Sequence, residues 1–341
     1  MMSRVSKVAE LLCEFPEIVS GISAGGRAWI RSHKAQIRTA ARSAGVAIEA
    51  ALRSDLQAFT DSPTLSVPIV PPDQPVGVDV IVPFYAGDAQ FLGEALASIN
   101  AQRHAIVTAH LIADGCDFPE LPPAADHVTV RRYQTPGGWG PYRITNGIVA
   151  GGNLQHEFLA LHDVDDVMHA DRLWRQIVTL QSISGEMISS AMEQFVDAGS
   201  LHNSQLVSRV KNRPVLYPGS VYTSVPLGHS INSTRTMRRI LFGRLNGFAD
   251  DRCSMDFDFC NRARFLGCKV IDDPTILSRR RVHVASITNG QIPDGSELRE
   301  RINQRVYSGI SAMQRSPTLA TARSLGDLDS GIQLRPIGVI V

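Results

Sequence analysis

The sequence has no apolar run long enough to span a bilayer, and no N-terminal apolar stretch followed by a small-residue cleavage site. Neither a spanning helix nor a secretory leader is therefore expected. Charge of one sign is not in excess. Lys and Arg total 34 against 33 Asp and Glu, a formal net charge of +1. That balance leaves no global field to gather nucleic acid. The five cysteines, Cys13, Cys116, Cys253, Cys260 and Cys268, are odd in number and form no C-x-x-C pair. Such usage predicts reduced thiols in a cytoplasmic protein, with no disulfide framework. No G-x-G-x-x-G follows the first apolar strand, which argues against a dehydrogenase-type dinucleotide fold. What is left is a chain of 341 residues with ordinary globular composition, able to bury one large core or two moderate ones.

The most telling stretch runs from Phe158 to Asp166. Four apolar residues, Phe158 to Leu161, read as a short buried strand, and Asp163, Asp165 and Asp166 follow directly. In open α/β sheets ligands bind beyond the carboxyl ends of such strands. Three carboxylates there repel one another unless a cation sits among them, and Mg²⁺ or Mn²⁺ prefers oxygen ligands. The competing reading is a solvated acidic turn ahead of a helix from about Asp171 to Ser182.

Residues 1–61 read as a helical segment, with apolar residues at helical spacing opposite Arg27, Arg31, Lys34, Arg38 and Arg42. That segment suits a solvated helix packed on the main domain, or peripheral contact with an anionic membrane surface. Residues 62–76 carry five prolines and form a linker. The main domain is expected over 77–290, with a helical or irregular extension over 291–341.

Within that domain, Val78 to Tyr85 is a first strand that ends at Pro83, and Phe91 to Gln102 has helical spacing. His110 to Ala113 is a second strand, halted by Asp114, and Val128 to Val130 a third. Alternation of strand and helix predicts a mostly parallel central sheet. Gly137 to Pro141 is a loop, with Arg143 on the helix after it. Met187 to Phe195 is a further strand, residues 199–230 an irregular excursion suited to an acceptor, and Thr234 to Phe242 a helix. Asp256 and Asp258 sit at the start of a helix capped by Gly267, where the helix dipole favours acids. Lys269 to Ile271 and Arg279 to His283 are two last candidate strands. Three adjacent arginines beside His283 suit an anion site.

These pieces resemble the family 2 glycosyltransferases of GT-A fold over roughly Val78 to Thr288. The resemblance is carried by "VDVIVPFY", "IADGCD", "GPYRITNGI", "LHDVDDVMHADRLWRQ" and "LNGFADDRCSMDFDFCNRARFLG". Ala113, Cys116, Ala170, Asn246 and Met255 depart from the family's pattern. It implies a nucleotide-sugar site. Pro83, Tyr85 and Asp114 would border the base, commonly uracil, and Arg143 the base or phosphates. Asp163 would hold the ribose, and Asp165, Asp166 and His283 the metal. Asp256 matches the general base of inverting members. The implied partners are a nucleotide-sugar donor and a glycan or lipid-linked acceptor. A retaining transferase, a nucleotidyltransferase or a non-catalytic glycan-binding module on the same sheet are the alternatives.

Overall fold

The β-branched run at Val78 forms the sheet's centre because its side chains can be buried on both faces. A computed structural model of the chain describes residues 69–196, 221–224, 232–283, 292, 296–330 and 333–340. Strand β1 is Val76–Phe84 and leads through a 3₁₀ turn into helix α1, Leu92–Asn100. Then come β2 (Ala105–Asp114), β3 (Val128–Thr135), α2 (Gly140–Ala150) and β4 (Phe158–Leu161). The two-residue β5 (Val167–Met168), α3 (Arg172–Ser182), β6 (Met187–Val196) and β7 (Val221–Ser224) follow. After them are β8 (Arg235–Arg238), α4 (Arg239–Arg244), α5 (Met255–Phe265) and β9 (Val270–Val282). The chain closes with α6 (Glu297–Arg315), α7 (Leu319–Ser324) and β10 (Gly338–Ile340).

The ten strands among the described residues share one sheet in the order β10-β3-β2-β1-β4-β8-β6-β9-β5, with β7 beside β6. The expected parallel arrangement holds through β3-β2-β1-β4 and again between β6 and β9. Strand β8 enters antiparallel between β4 and β6, and β5 and β10 are also antiparallel to their neighbours. Alternation along β1 sends Val80 and Val82 to one face and Ile81 to the other. The first face packs under α1 and α3 through Leu92, Leu96, Leu173, Trp174 and Ile177. The second packs under α2, α4 and α5 through Ile144, Ile148, Leu241, Phe242 and Phe259. The chain is thus α/β, with helices on both faces of the sheet.

Two local expectations are corrected. The Thr234 to Phe242 segment is a strand followed by a short helix, because Thr236 and Met237 fill a gap between β4 and β6. Thr236 points to the α3 face and donates to Gln176, whereas Met237 joins the opposite core. Tertiary pairing here overrides a helical apolar spacing. The two candidate strands at 269–271 and 279–283 are one strand, β9. Its pairing with β6 steps from Asp273 to Ile276, so Pro274 falls in an irregularity where its missing N–H is harmless.

The N-terminal segment and residues 62–68 of the linker lie outside the described residues, as do Cys13 and most of the 199–230 excursion. The described cysteines are free thiols. No described helix is long and apolar enough to cross a membrane.

One buried polar cluster ties strands together away from the acidic stretch. His110 on β2 bonds Asp79 of β1 at 2.8 Å and the Tyr133 hydroxyl of β3 at 2.9 Å. Asp79 also accepts the backbone N–H groups of Gln155 and His156, fixing the loop into β4. Burial lowers the His110 pKa from its ordinary 6.5, against the pull of Asp79. A depressed imidazole pKa means the unfolded chain takes up a proton before the folded one does. Its stabilising contribution is full above about pH 6.5 and is lost as pH falls below it. His110→Asn is expected to melt lower than the wild type at pH 7.5 and to lose less stability between pH 7 and 5. Calorimetric melts across that range check this, and equal slopes for the two proteins would reject it.

Candidate active site

Strand order reverses at β1: the chain runs outward through β2 and β3, then crosses back to β4 on the other side. A crevice opens at such a switch point, beyond the carboxyl ends of the strands. Residues after Phe84 and after Leu161 border it. Strand β9 runs the same way as β4, so His283 arrives at that edge too.

Asp165 and His283 meet there, with Oδ2 and Nε2 2.9 Å apart. Asp88, which the sequence reading missed, faces His283 at 3.6 Å. Its Oδ1 is buried without a hydrogen-bond partner. Burial, then the Asp165 charge, pushes the Asp88 carboxyl up to about 7, while His283 and a Tyr85 hydrogen bond act against that shift. Tyr85 folds back over Gly87, whose added Cβ would lie 2.6 Å from the ring. Pro83 stands at the end of β1 opposite Ile112.

Asp166 turns inward and accepts the Arg281 backbone N–H at 3.0 Å. Burial, followed by Asp165 and Asp163, holds its carboxyl well above the usual range. Arg281 also donates from Nε to the Asp165 carbonyl, pairs with Glu94 and lies over the Phe91 ring. The arginine run thus pins the acidic loop to β9 and α1.

A second group faces this one. The Tyr142 hydroxyl on α2 donates to Asp256 Oδ1 at 3.1 Å. Burial, then Asp256 and Asp163, raises the Tyr142 phenol well above its ordinary 10, so it stays a donor. Asp256 sits in the first turn of α5, entered through Ser254 in a left-handed conformation with φ 64°. A non-glycine residue there costs about 1–2 kcal/mol, a strain typical of functional sites. Neighbouring acids have other duties. Asp258 pairs with Arg262 at 2.8 Å, and Arg262 also grips the carbonyls of Leu245, Gly247 and Ala322. Asp251 pairs with Arg305.

Asp114 and Arg143 lie to either side of the loop that starts α2. Asp114 accepts from the Thr135 hydroxyl and the backbone N–H groups of Trp139 and Gly140, at 2.5, 3.2 and 2.9 Å. That loop presses on the turn after β2, since a Cβ on Gly115 would lie 2.6 Å from the Gly137 Cα. Arg143 stacks over the Trp139 ring. Tyr142, its neighbour, is the α2 residue that reaches the acids. Tyr142 belongs to the "GPYRITNGI" segment, but the resemblance implied a role for Arg143 and none for this tyrosine.

The donor set suits a hard divalent cation. Among the described residues no three acid, histidine or cysteine side chains form a ready cage. Asp165 and His283 supply two donors, and Mg²⁺ commonly uses one or two protein ligands plus substrate phosphates. Asp88, with its orphaned oxygen beside them, is available at the same edge.

No family model and no curated protein matches this chain. Solved structures resemble it at low identity. Staphylococcus aureus TarS 1-349 in complex with UDP-GlcNAc shares 14% identity, with a TM-score of 0.47 over 72% of this chain and 69% of that one. The mannosyltransferase PcManGT from Pyrobaculum calidifontis, in complex with GDP-Man and Mn²⁺, shares 15%, with a TM-score of 0.45 over 86% and 82%. Against the longer S. aureus TarS structure the figures are 15% and 0.43, and the match spans 71% of this chain and 44% of that one.

Proposed function

We propose that this chain is a glycosyltransferase of GT-A fold. It moves a sugar from a nucleotide diphosphate, a UDP-sugar in the first instance, to the hydroxyl of a glycan or lipid-linked acceptor. One observation carries the reading: Asp165 and His283 meet beyond the ends of β4 and β9, and Tyr142 of α2 holds Asp256 in the first turn of α5.

Each residue type has work to do in such a transfer. An acceptor hydroxyl is a poor nucleophile until a base removes its proton as the new bond forms. Asp256 takes that proton on the carboxylate oxygen that Tyr142 leaves open. The acceptor oxygen bonds to the sugar's anomeric carbon while the bond to the diphosphate breaks, and the nucleotide leaves with the electron pair. A base across from the leaving group gives one displacement with inversion. Asp163 orients the nucleotide, and Tyr142 fixes the carboxylate that receives the proton. Asp165 and His283, with Asp88 beside them, would hold Mg²⁺ or Mn²⁺, which neutralises charge on the departing diphosphate.

A donor screen without acceptor tests the reading, since transferases commonly hydrolyse their own donor slowly. With Mn²⁺ present, UDP-sugars are expected to be hydrolysed in preference to GDP- and dTDP-sugars. Absence of hydrolysis for all three, together with no nucleotide binding by calorimetry, would remove the proposal.

A further inference from the structure

Arg235 is fully buried, and its Nε, Nη1 and Nη2 all lack a hydrogen-bond partner. A desolvated, unpaired guanidinium is costly and is kept only where something repays it. Its position in the sheet says where it points. Strand β8 is antiparallel to β4, so its first residue, Arg235, lies at the edge where β4 ends and the acids begin. Side chains alternate along a strand. Thr236 faces α3 through Gln176, so Arg235 and Met237 face the side of Tyr142 and α5. Its charge is felt by the Tyr142 phenol and the Cys260 thiol, and both also feel Asp256. The acids of the opposite cluster have other cations: Arg280 near Asp166 and Arg281 over the Asp165 loop.

We infer that Arg235 is an acceptor-side anion receptor, which selects acceptors carrying a carboxylate or phosphate close to the reacting hydroxyl. An arginine suits both groups, since its planar fork pairs bidentately with either. An anion there would satisfy the orphaned nitrogens and set the acceptor beside Asp256. The inference rests on the transferase reading for its word "acceptor", but the anion site itself does not.

The test uses the full chain with UDP and Mn²⁺ filling the donor side, titrated with inorganic phosphate, glucuronate and neutral methyl glucoside. The wild type is expected to bind one of the anions at least about tenfold more tightly than the glucoside, a preference of about 1.4 kcal/mol. Which anion binds distinguishes phosphate from carboxylate as the source. R235M should bring anion binding down to the level of the glucoside, with the loss falling on those probes and not on UDP. Without ligand it should melt about 2–4 °C higher or more, because a buried unpaired charge has gone. If R235M does not fold, R235Q is read in the same way. Equal binding of all three probes by the wild type, or anion binding unchanged in the variant, overturns the assignment. A lower melting point for both variants also overturns it, since the side chain is then structural. If the wild type binds no UDP, the transferase reading fails by itself. The probes are then titrated alone, where Arg235-dependent anion binding still supports the site and its absence removes it.

Discussion

Asp256→Asn is expected to bind nucleotide like the wild type and to transfer sugar about 10²–10⁴-fold more slowly, the usual loss for a positioned base. The amide is nearly isosteric and its oxygen can keep the Tyr142 hydrogen bond, so stability should change by roughly 1 kcal/mol or less. Binding is spared because Asp163 and Asp165 follow β4 and His283 follows β9, whereas Asp256 opens α5. Calorimetry with UDP and Mn²⁺, beside a transfer assay, reads the two effects separately. Near-normal transfer by the variant would end the assignment of Asp256 as base. So would loss of UDP binding in step with transfer, since Asp256 would then be holding the donor site together. The fallback candidates are weak in this fold, because Asp258 and Asp251 are already paired with Arg262 and Arg305.

Asp165→Ala is expected to lose Mn²⁺-dependent UDP binding by on the order of 100-fold or more, since even outer-shell metal partners are worth about 10–100-fold. The fold should survive. Arg281 holds this loop through the Asp165 carbonyl and the Asp166 carboxylate, neither of which the substitution removes. His283→Ala should weaken the same binding while leaving the Tyr142–Asp256 pair alone. Calorimetry with and without Mn²⁺, beside a thermal melt, checks both variants. Unchanged metal dependence in the Asp165 variant would show that the ion, if any, is held elsewhere. A collapsed melt would show that the His283–Asp165 contact is part of the scaffold.

The sequence by itself determined the α/β class, the first four parallel strands and the acidic stretch after Leu161. Those features are local: an apolar run of four to eight residues, a turn residue, and carboxylates placed by where a strand stops. Asp163, Asp165, Asp256 and His283 could be named because each stands in a contiguous pattern. Only tertiary structure decided the rest. It inserted Arg235–Arg238 as a strand between β4 and β6, against a helical spacing, because hydrogen-bonding partners on both sides outweigh local preference. Asp88 gained its place from the turn after β1 and lies in no pattern of its own, and Tyr142, although part of the "GPYRITNGI" segment, gained its contact with Asp256 from the crossing of α2 over the sheet. Asp166 was set to hold Arg281 although Asp165 beside it faces His283, a distinction that depends on which way each carboxylate turns. Residues far apart in the chain come together only when the sheet order is known, and one sequence contains no direct record of that order.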